Sequence, residues 1–312
     1  MEAIIRVILD AGRTGVDLAL YTLLPIMIVM LALMKLLDAW GILAWLARIL
    51  SPLVKWFGIP GLGIFAAVKL LLVSFAAPVA TFTIMGQNGT SSRHIAATLA
   101  MIMVMTQANV LFPMAAVGLK IGTALITSII GGLVAATVTY YGFARRPGWE
   151  VETITNADLH PSEHAHKNPV RILADGGLEG LRIVVNSIPM LVLALCFVNT
   201  LKATGAMVYI SSLLAPVMAW LDLPDAAVLP LVTKFIAGGT AFMGVTIDLI
   251  HQGNLTATDL NRMVGFATNP LDIVGVAIFA SASPKVGEVM QRALLGAMIG
   301  LLVRGIIHLV VF

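Results

Sequence analysis

Residues 69–90 read KLLLVSFAAPVATFTIMGQNGT. The stretch opens as an apolar helix behind Lys69, meets Pro78 and ends in the polar turn Gly86-Gln87-Asn88-Gly89. Proline removes a backbone donor and its ring clashes with the preceding turn, so a kink or break is expected at Pro78. Broken backbone inside hydrocarbon survives only where protein buries it or water lines it, because its N–H and C=O groups find no partner in lipid. A second copy stands at residues 234–256, KFIAGGTAFMGVTIDLIHQGNLT, in which Gly238-Gly239 and Gly244 loosen the helix in place of proline and Asp248 adds a carboxylate. Two loosened, polar-ended segments in matching positions predict a site between two halves of one membrane protein.

Composition sets the solvent. The chain has 312 residues, 59% hydrophobic and 11% charged, where a soluble domain carries about 25% charged residues. The expected fold class is all-α, a polytopic helical membrane protein, because helices satisfy their own backbone and no long two-residue alternation marks a barrel. A net charge of +3 fits basic loop ends and not nucleic-acid binding. Cys196 is the single cysteine and can form no internal disulfide. The start, MEAIIRVILDAGR, carries Glu2 and Asp10 and lacks a clean apolar core before a small-residue cleavage site, so no cleavable signal peptide is expected.

Outward from the central stretch, residues 1–12 read as an amphipathic interfacial segment and residues 16–36 as a spanning helix containing Pro25. Residues 39–57 mix Trp40, Trp45 and Trp56 with Arg48 and Lys55, the residue types that anchor at headgroup level, which predicts an interfacial or re-entrant helix. Residues 95–117 form an apolar helix with Thr106, Gln107 and Asn109 at its middle, and residues 121–143 a further helix before Arg145-Arg146. Residues 144–175 are polar, hold His160, His164 and His166, and read as a linker. Arg145, Arg146, Lys167 and Arg171 at its ends place it on the cytoplasmic side.

The second half repeats the first. Pro25 and Pro189 differ by 189 − 25 = 164, and Gly41/Gly205, Pro52/Pro216, Trp56/Trp220 and Pro60/Pro224 share that offset. After one inserted residue the offset is 165, pairing Lys69/Lys234, Thr81/Thr246, Gln87/Gln252, Lys120/Lys285, Gly122/Gly287 and Gly131/Gly296. A constant register across scarce residue types marks a duplication, and neither half is expected to close a site alone. The first interfacial segment carries Lys35, Arg48 and Lys55 against Asp38, whereas its counterpart carries Lys202 against Asp222 and Asp225. Opposite charge bias on equivalent segments predicts opposite faces of the membrane, hence an inverted repeat.

On the duplicated Pro52-Trp56-Pro60 and Pro216-Trp220-Pro224 pattern, the broken segment after each lysine and the polar centre of the helix that follows, the chain resembles the nucleoside-recognition, or Gate, family of membrane proteins. The family includes spore-maturation proteins and is similar to the core of concentrative nucleoside transporters and to the gates of the bacterial ferrous-iron transporter. The resemblance implies two inverted Gate-type repeats with re-entrant helices meeting near mid-depth, at residues 1–143 and 176–312, joined by the 144–175 linker. It implies a transporter of a small polar solute, nucleoside-like or a small carboxylate, working by alternating access in a bacterial cytoplasmic (inner) membrane as a homo-oligomer or with a partner membrane protein. Two other readings stay open: a non-transporting assembly or regulatory component, and a metal-ion permease. No GxxxxGK phosphate loop is present, so nucleotide-driven coupling does not carry over.

The candidate chemistry lies in polar residues within apolar runs, where they are costly and are either functional or glue between helices. Gln107 and Asn109 on one side, and Thr268, Asn269 and Asp272 on the other, are the expected solute-binding set, with Gln87 and Gln252 at the ends of the broken segments. Gln107 and Asp272 are counterparts at the offset of 165. Asp248, Thr81, Thr246, Lys69 and Lys234 are the expected gate or coupling-ion groups for Na⁺ or a proton. Against these stand an interfacial Asp248, threonines that bond their own backbone, and lysines that snorkel to headgroups. No cofactor is expected. The three linker histidines lack metal-ligand spacing, and no nucleophile–base order marks an enzyme.

Overall fold

The computed structural model describes residues 2–73, 77–149 and 168–312, and these form helices with no strand among them. The first half runs α1 (Glu2–Asp17), α2 (Leu24–Ala39), α3 (Ile42–Val54), α4 (Gly61–Leu72), α5 (Ala77–Gln87), α6 (Ser92–Val104), α7 (Ala108–Met114) and α8 (Ile121–Val138). The second runs α9 (Pro169–Ala203), α10 (Ala206–Trp220), α11 (Val228–Ala237), α12 (Gly239–His251), α13 (Ala257–Ala267), α14 (Ile273–Ala280) and α15 (Pro284–Val311). Five stretches are long and apolar enough to cross a bilayer: 5–39, 92–117, 121–143, 169–201 and 284–311.

The two halves match element by element. The left-handed glycine that starts α3, Gly41 at φ 73°, recurs before α10 as Gly205 at φ 71°. The chain then turns through 116° between α3 and α4, and through 107° between α10 and α11. Pro60 and Pro224 stand at those corners in extended backbone, at ψ 166° and 156°, a conformation proline favours and a helix cannot continue through. Each corner launches a helical hairpin, α4–α5 and α11–α12. Trp40, Trp45 and Trp56 all point outward from the α3 region, as anchors at headgroup level do.

Close backbone contacts fix the relative direction of the halves. Along α2 and α9, Gly176 abuts Leu31 and Ala32, Gly180 abuts Met27 and Ile28, and Gly15 in α1 abuts Val192. One number falls as the other rises, so the first helix of each half lies antiparallel to its counterpart. The last helices do the same: Thr127 meets His308, Gly131 meets Gly300 and Arg304, and Thr139 meets Gly296. Gly131 and Gly296 are themselves counterparts in the duplication. Antiparallel equivalents are the signature of an inverted repeat. At Gly300 an added Cβ would stand 2.4 Å from the Gly131 carbonyl oxygen; small residues let helix backbones approach this closely where lipid gives no hydrophobic drive.

Three expectations change in detail. Pro78 does not kink a continuous helix: α4 stops at Leu72 and Pro78 is the second residue of α5, a position where its missing N–H costs nothing. Gly244 does not loosen α12, which is unbroken from Gly239 to His251. It admits Leu191 of α9, whose Cδ1 would lie 2.0 Å from a Cβ there. Residues 95–117 are two helices, since the chain unwinds at residues 105–107. Residues 150–167, including the three linker histidines, lie outside the described residues, and the chain is already helical from Pro169. α9 has 35 residues, about 52 Å at 1.5 Å each, against a hydrocarbon core of about 30 Å. It therefore stands well clear of the bilayer or lies tilted in it.

Candidate functional site

Two broken helices cross at their breaks. α6 gives way to extended backbone at Met105 (ψ 150°) and Gln107 (ψ 130°) before α7 resumes. α13 gives way after Ala267, and Asp272 is extended at φ −148° and ψ 170° before α14 starts. Pro270 drives the second break, because the residue before a proline is pushed out of the helical region. That residue, Asn269, repairs the backbone with its own amide: Nδ2 donates to the Phe266 carbonyl at 2.8 Å and Oδ1 accepts from the Leu271 N–H at 3.0 Å. In the first break the Thr106 N–H donates to the Ser128 hydroxyl of α8 at 2.7 Å. The breaks then bind one another. The Gln107 N–H donates to the Thr268 carbonyl at 2.9 Å, and the Thr106 hydroxyl donates to the Thr268 hydroxyl at 2.7 Å.

Arg304 of α15 closes the crossing from one side. It is fully buried and donates to the Val104 carbonyl at the end of α6 (2.8 Å), to the Val264 carbonyl near the end of α13 (3.1 Å) and to the Thr268 hydroxyl (2.5 Å). The last carbonyls of a helix have no intrahelical partner and carry partial negative charge. One guanidinium thus caps two half-helices drawn from opposite halves. It has no carboxylate partner among the described residues, and its Nε finds no acceptor. One turn on, His308 bridges the Asn261 carbonyl at 2.6 Å and the Thr127 hydroxyl at 2.7 Å, tying α15 to α13 and α8.

The other side of the crossing holds the second hairpin. Lys234, in the last turn of α11, forms a salt bridge with Asp272, and their side chains are 0% and 3% exposed. The second Asp272 oxygen accepts the Gly275 N–H at 2.7 Å, capping α14. The hairpin tip, Gly238-Gly239, enters between the breaks. A Cβ on Gly238 would lie 3.7 Å from Asp272 Oδ1, and one on Gly239 would lie 3.6 Å from Gln107 Oε1. Gly238 has φ 85° and ψ 179°, a region open essentially only to glycine, and this lets the tip turn within so small a space. Gln107 is 4% exposed, yet its side-chain amide makes no hydrogen bond among the described residues. A buried ion pair of this kind contributes little net stability, but removing one partner costs about 3–5 kcal/mol.

The expected binding residues therefore divide. Gln107, Thr268, Asn269, Asp272 and Lys234 come together at the crossing; Thr268 and Asn269 are occupied holding the backbone, while Gln107 is free. Asn109 points elsewhere, into a cleft shared with Met27, Met34, Leu72 and Val73 and measuring about 10 Å³, room for about one water. Lys69 sits 3.6 Å from Asp38 and over the Phe65 ring. Thr81 is buried in α5, and the Thr246 hydroxyl donates to the Phe242 carbonyl at 2.7 Å, the local backbone bond. Gln87 and Gln252 are exposed at the turns after α5 and α12, at the ends of the hairpins opposite their tips. Asp248 accepts from Gln252 Nε2 at 2.7 Å in that exposed turn. The polar turn, easy to see in sequence, marks the mouth of each hairpin; the tip of the second hairpin is Gly238-Gly239. Arg304 was not singled out in sequence, although a lone arginine inside the apolar run 294–312 is the signal that finds it.

Comparison with known proteins agrees with this geometry. The family model described as nucleoside recognition, Gate, matches residues 20–124 and 184–291, one match in each half. Spore maturation protein B of Bacillus subtilis is 31% identical over 141 residues, 44% of this chain and 79% of that protein. Inner membrane protein YjiG of Escherichia coli K12 is 31% identical over 113 residues, 35% of this chain and 73% of that protein. Among solved structures, the concentrative nucleoside transporter CNTnw in an outward-facing state superposes with a TM-score of 0.70 at 14% identity, covering 99% of this chain and 83% of that one. Its inward-facing, substrate-bound form gives 0.69 at the same identity and the same coverage. With both halves matched by the family model, the chain belongs to the nucleoside-recognition (Gate) family of membrane proteins.

Proposed function

We propose that this protein transports a small polar solute, nucleoside-like or a small carboxylate, by alternating access between its inverted halves. The observation that carries the reading is the free Gln107 amide beside the Gly238-Gly239 tip, facing a buried Lys234–Asp272 pair at the crossing of two broken helices. Polar and charged groups gathered at membrane depth are expensive to keep there and mark solute or ion pathways. Backbone opened by broken helices supplies further donors and acceptors at the same depth. In this reading Gln107 and the hairpin tip contact the solute, and Lys234 and Asp272 answer its charge or that of a coupling Na⁺ or proton. Thr106, Thr268 and Arg304 hold the breaks in register. A bacterial cytoplasmic membrane and a homo-oligomer, or a partner membrane protein, complete the proposal; the likeness to inner membrane protein YjiG supports the location.

A second reading, a membrane assembly component without transport, draws on the likeness to spore maturation protein B. Among the described residues no three His, Cys, Asp or Glu side chains gather as a metal site, which leaves the metal-ion permease reading without a ligand set there. The test is uptake into proteoliposomes, with a thermal-shift panel of nucleosides, bases, carboxylates, Na⁺ and divalent metals in detergent. Transport predicts that at least one solute class both stabilises the protein and accumulates, and that Gln107→Leu weakens both. Full complementation of a null strain by a variant that neither binds nor moves any solute would favour the assembly reading.

A further inference from the structure

The buried charges at the crossing do not balance. Lys234 and Arg304 are both fully buried, and among the described residues Asp272 is the one carboxylate against them. One positive charge is left over in a region where an uncompensated charge is costly. Its location is set by Arg304, which is spent on the negative C-terminal ends of α6 and α13. What remains on the Gln107 side is Lys234, Asp272 and the N-terminus of α12. That N-terminus starts at Gly239, follows a glycine, and has no side-chain cap. Open helix N-termini carry partial positive charge and present free N–H groups. Gln107, 4% exposed and without a partner, stands against it.

We propose that the transported solute is a small monocarboxylate, and that its anionic group lies between the N-terminus of α12, the Gln107 amide and Lys234. This rests on the transporter reading and deepens it. Asp272 stands where the solute would: it holds Lys234 with one oxygen while the other caps α14 through the Gly275 N–H. An entering carboxylate takes over Lys234, and Asp272 keeps its place on the α14 N-terminus. The solute carboxylate then replaces the Asp272 carboxylate on Lys234 one for one. A single negative charge matches the one ammonium of Lys234, and a phosphate dianion overshoots it. The planar amide of Gln107 offers one donor to a carboxylate oxygen.

The experiment compares matched pairs on the purified full-length protein: small monocarboxylates, the corresponding primary amides, inorganic phosphate and uncharged nucleosides, read by thermal shift and by direct binding. The expected result is stabilisation by carboxylates, with at least tenfold weaker binding of each amide. Gln107→Leu is expected to weaken carboxylate binding about tenfold with an unlowered melting midpoint, since it removes an unpartnered polar group. Asp272→Asn, where it folds, is expected to tighten binding by removing the competitor. Equal binding of acid and amide, or binding of nucleosides alone, overturns the carboxylate assignment while the transporter reading stands. Failure of every class to bind or accumulate overturns both.

Discussion

A double-mutant cycle on Lys234 and Asp272 tests the centre of the site directly. Both side chains are out of contact with solvent, at 0% and 3% exposure. Lys234→Met strands a carboxylate held only by the Gly275 N–H. Asp272→Asn strands an ammonium but keeps the cap on α14, since asparagine caps as well as aspartate. Each single change is expected to cost about 3–5 kcal/mol, the penalty of an uncompensated buried charge. The double variant removes both charges and retains the cap, so it is expected within about 1 kcal/mol of the parent, or above it, as replaced buried pairs often are. The cycle should thus recover at least about 5 kcal/mol relative to the sum of the singles. Reversible unfolding in mixed detergent micelles, followed by tryptophan fluorescence, reads all four proteins on one scale. Additivity within about 0.5 kcal/mol would mean the two groups do not face each other in a dry site, and the placement of the α11–α12 hairpin against the second break would be wrong.

Three further outcomes follow from the same geometry. In a Cys196→Ser background, Gln87→Cys and Gln252→Cys, which are exposed counterparts at the two hairpin mouths, should react with membrane-impermeant maleimide from opposite faces; labelling from one face would refute the inverted arrangement. Gly300→Leu should cost at least about 1–3 kcal/mol because even a Cβ would lie 2.4 Å from the Gly131 carbonyl, whereas Gly122→Ala, where a Cβ meets nothing within 4 Å, should stay within about 0.5 kcal/mol in the same unfolding assay. Arg304→Lys should lose thermal stability nearly as far as Arg304→Met, because one ammonium cannot replace the planar guanidinium across two helix ends; full rescue by lysine would show that charge alone suffices.

The duplication was legible because scarce residues keep register: Pro60 and Pro224 do mark equivalent corners, and Gly41 and Gly205 equivalent left-handed turns. The direction of the repeat was legible in the charge bias of the segments after α2 and α9, because lysine and arginine report the face they sit on. The position of the breaks was read less well. Proline and a polar turn draw the eye to Pro78 and Gln87, yet in the second hairpin the tip that reaches the crossing is Gly238-Gly239, where no polar side chain marks the turn. Thr106, Gln107 and Asn109 looked alike on a helical pattern. Once the chain unwinds at residues 105–107 the pattern no longer applies, and Gln107 and Asn109 part company by facing different elements.

The two halves have also ceased to be equivalent where it matters. Lys69 and Lys234 are counterparts, as are Gln107 and Asp272. In the second half the lysine meets its partner at the break. In the first half that position is an uncharged amide, and Lys69 turns instead to Asp38, whose own counterpart in sequence is Lys202. Moving the acid from the break to α2 keeps Lys69 paired and releases Gln107 from any ion pair. One half therefore contributes a charge lock and the other a free hydrogen-bonding group. A symmetric pair of locks would close the crossing on itself, and a symmetric pair of amides would hold no charge. A solute that needs both a cation and an amide can find them here only by touching both halves at once, so its binding is coupled to how the halves sit against each other.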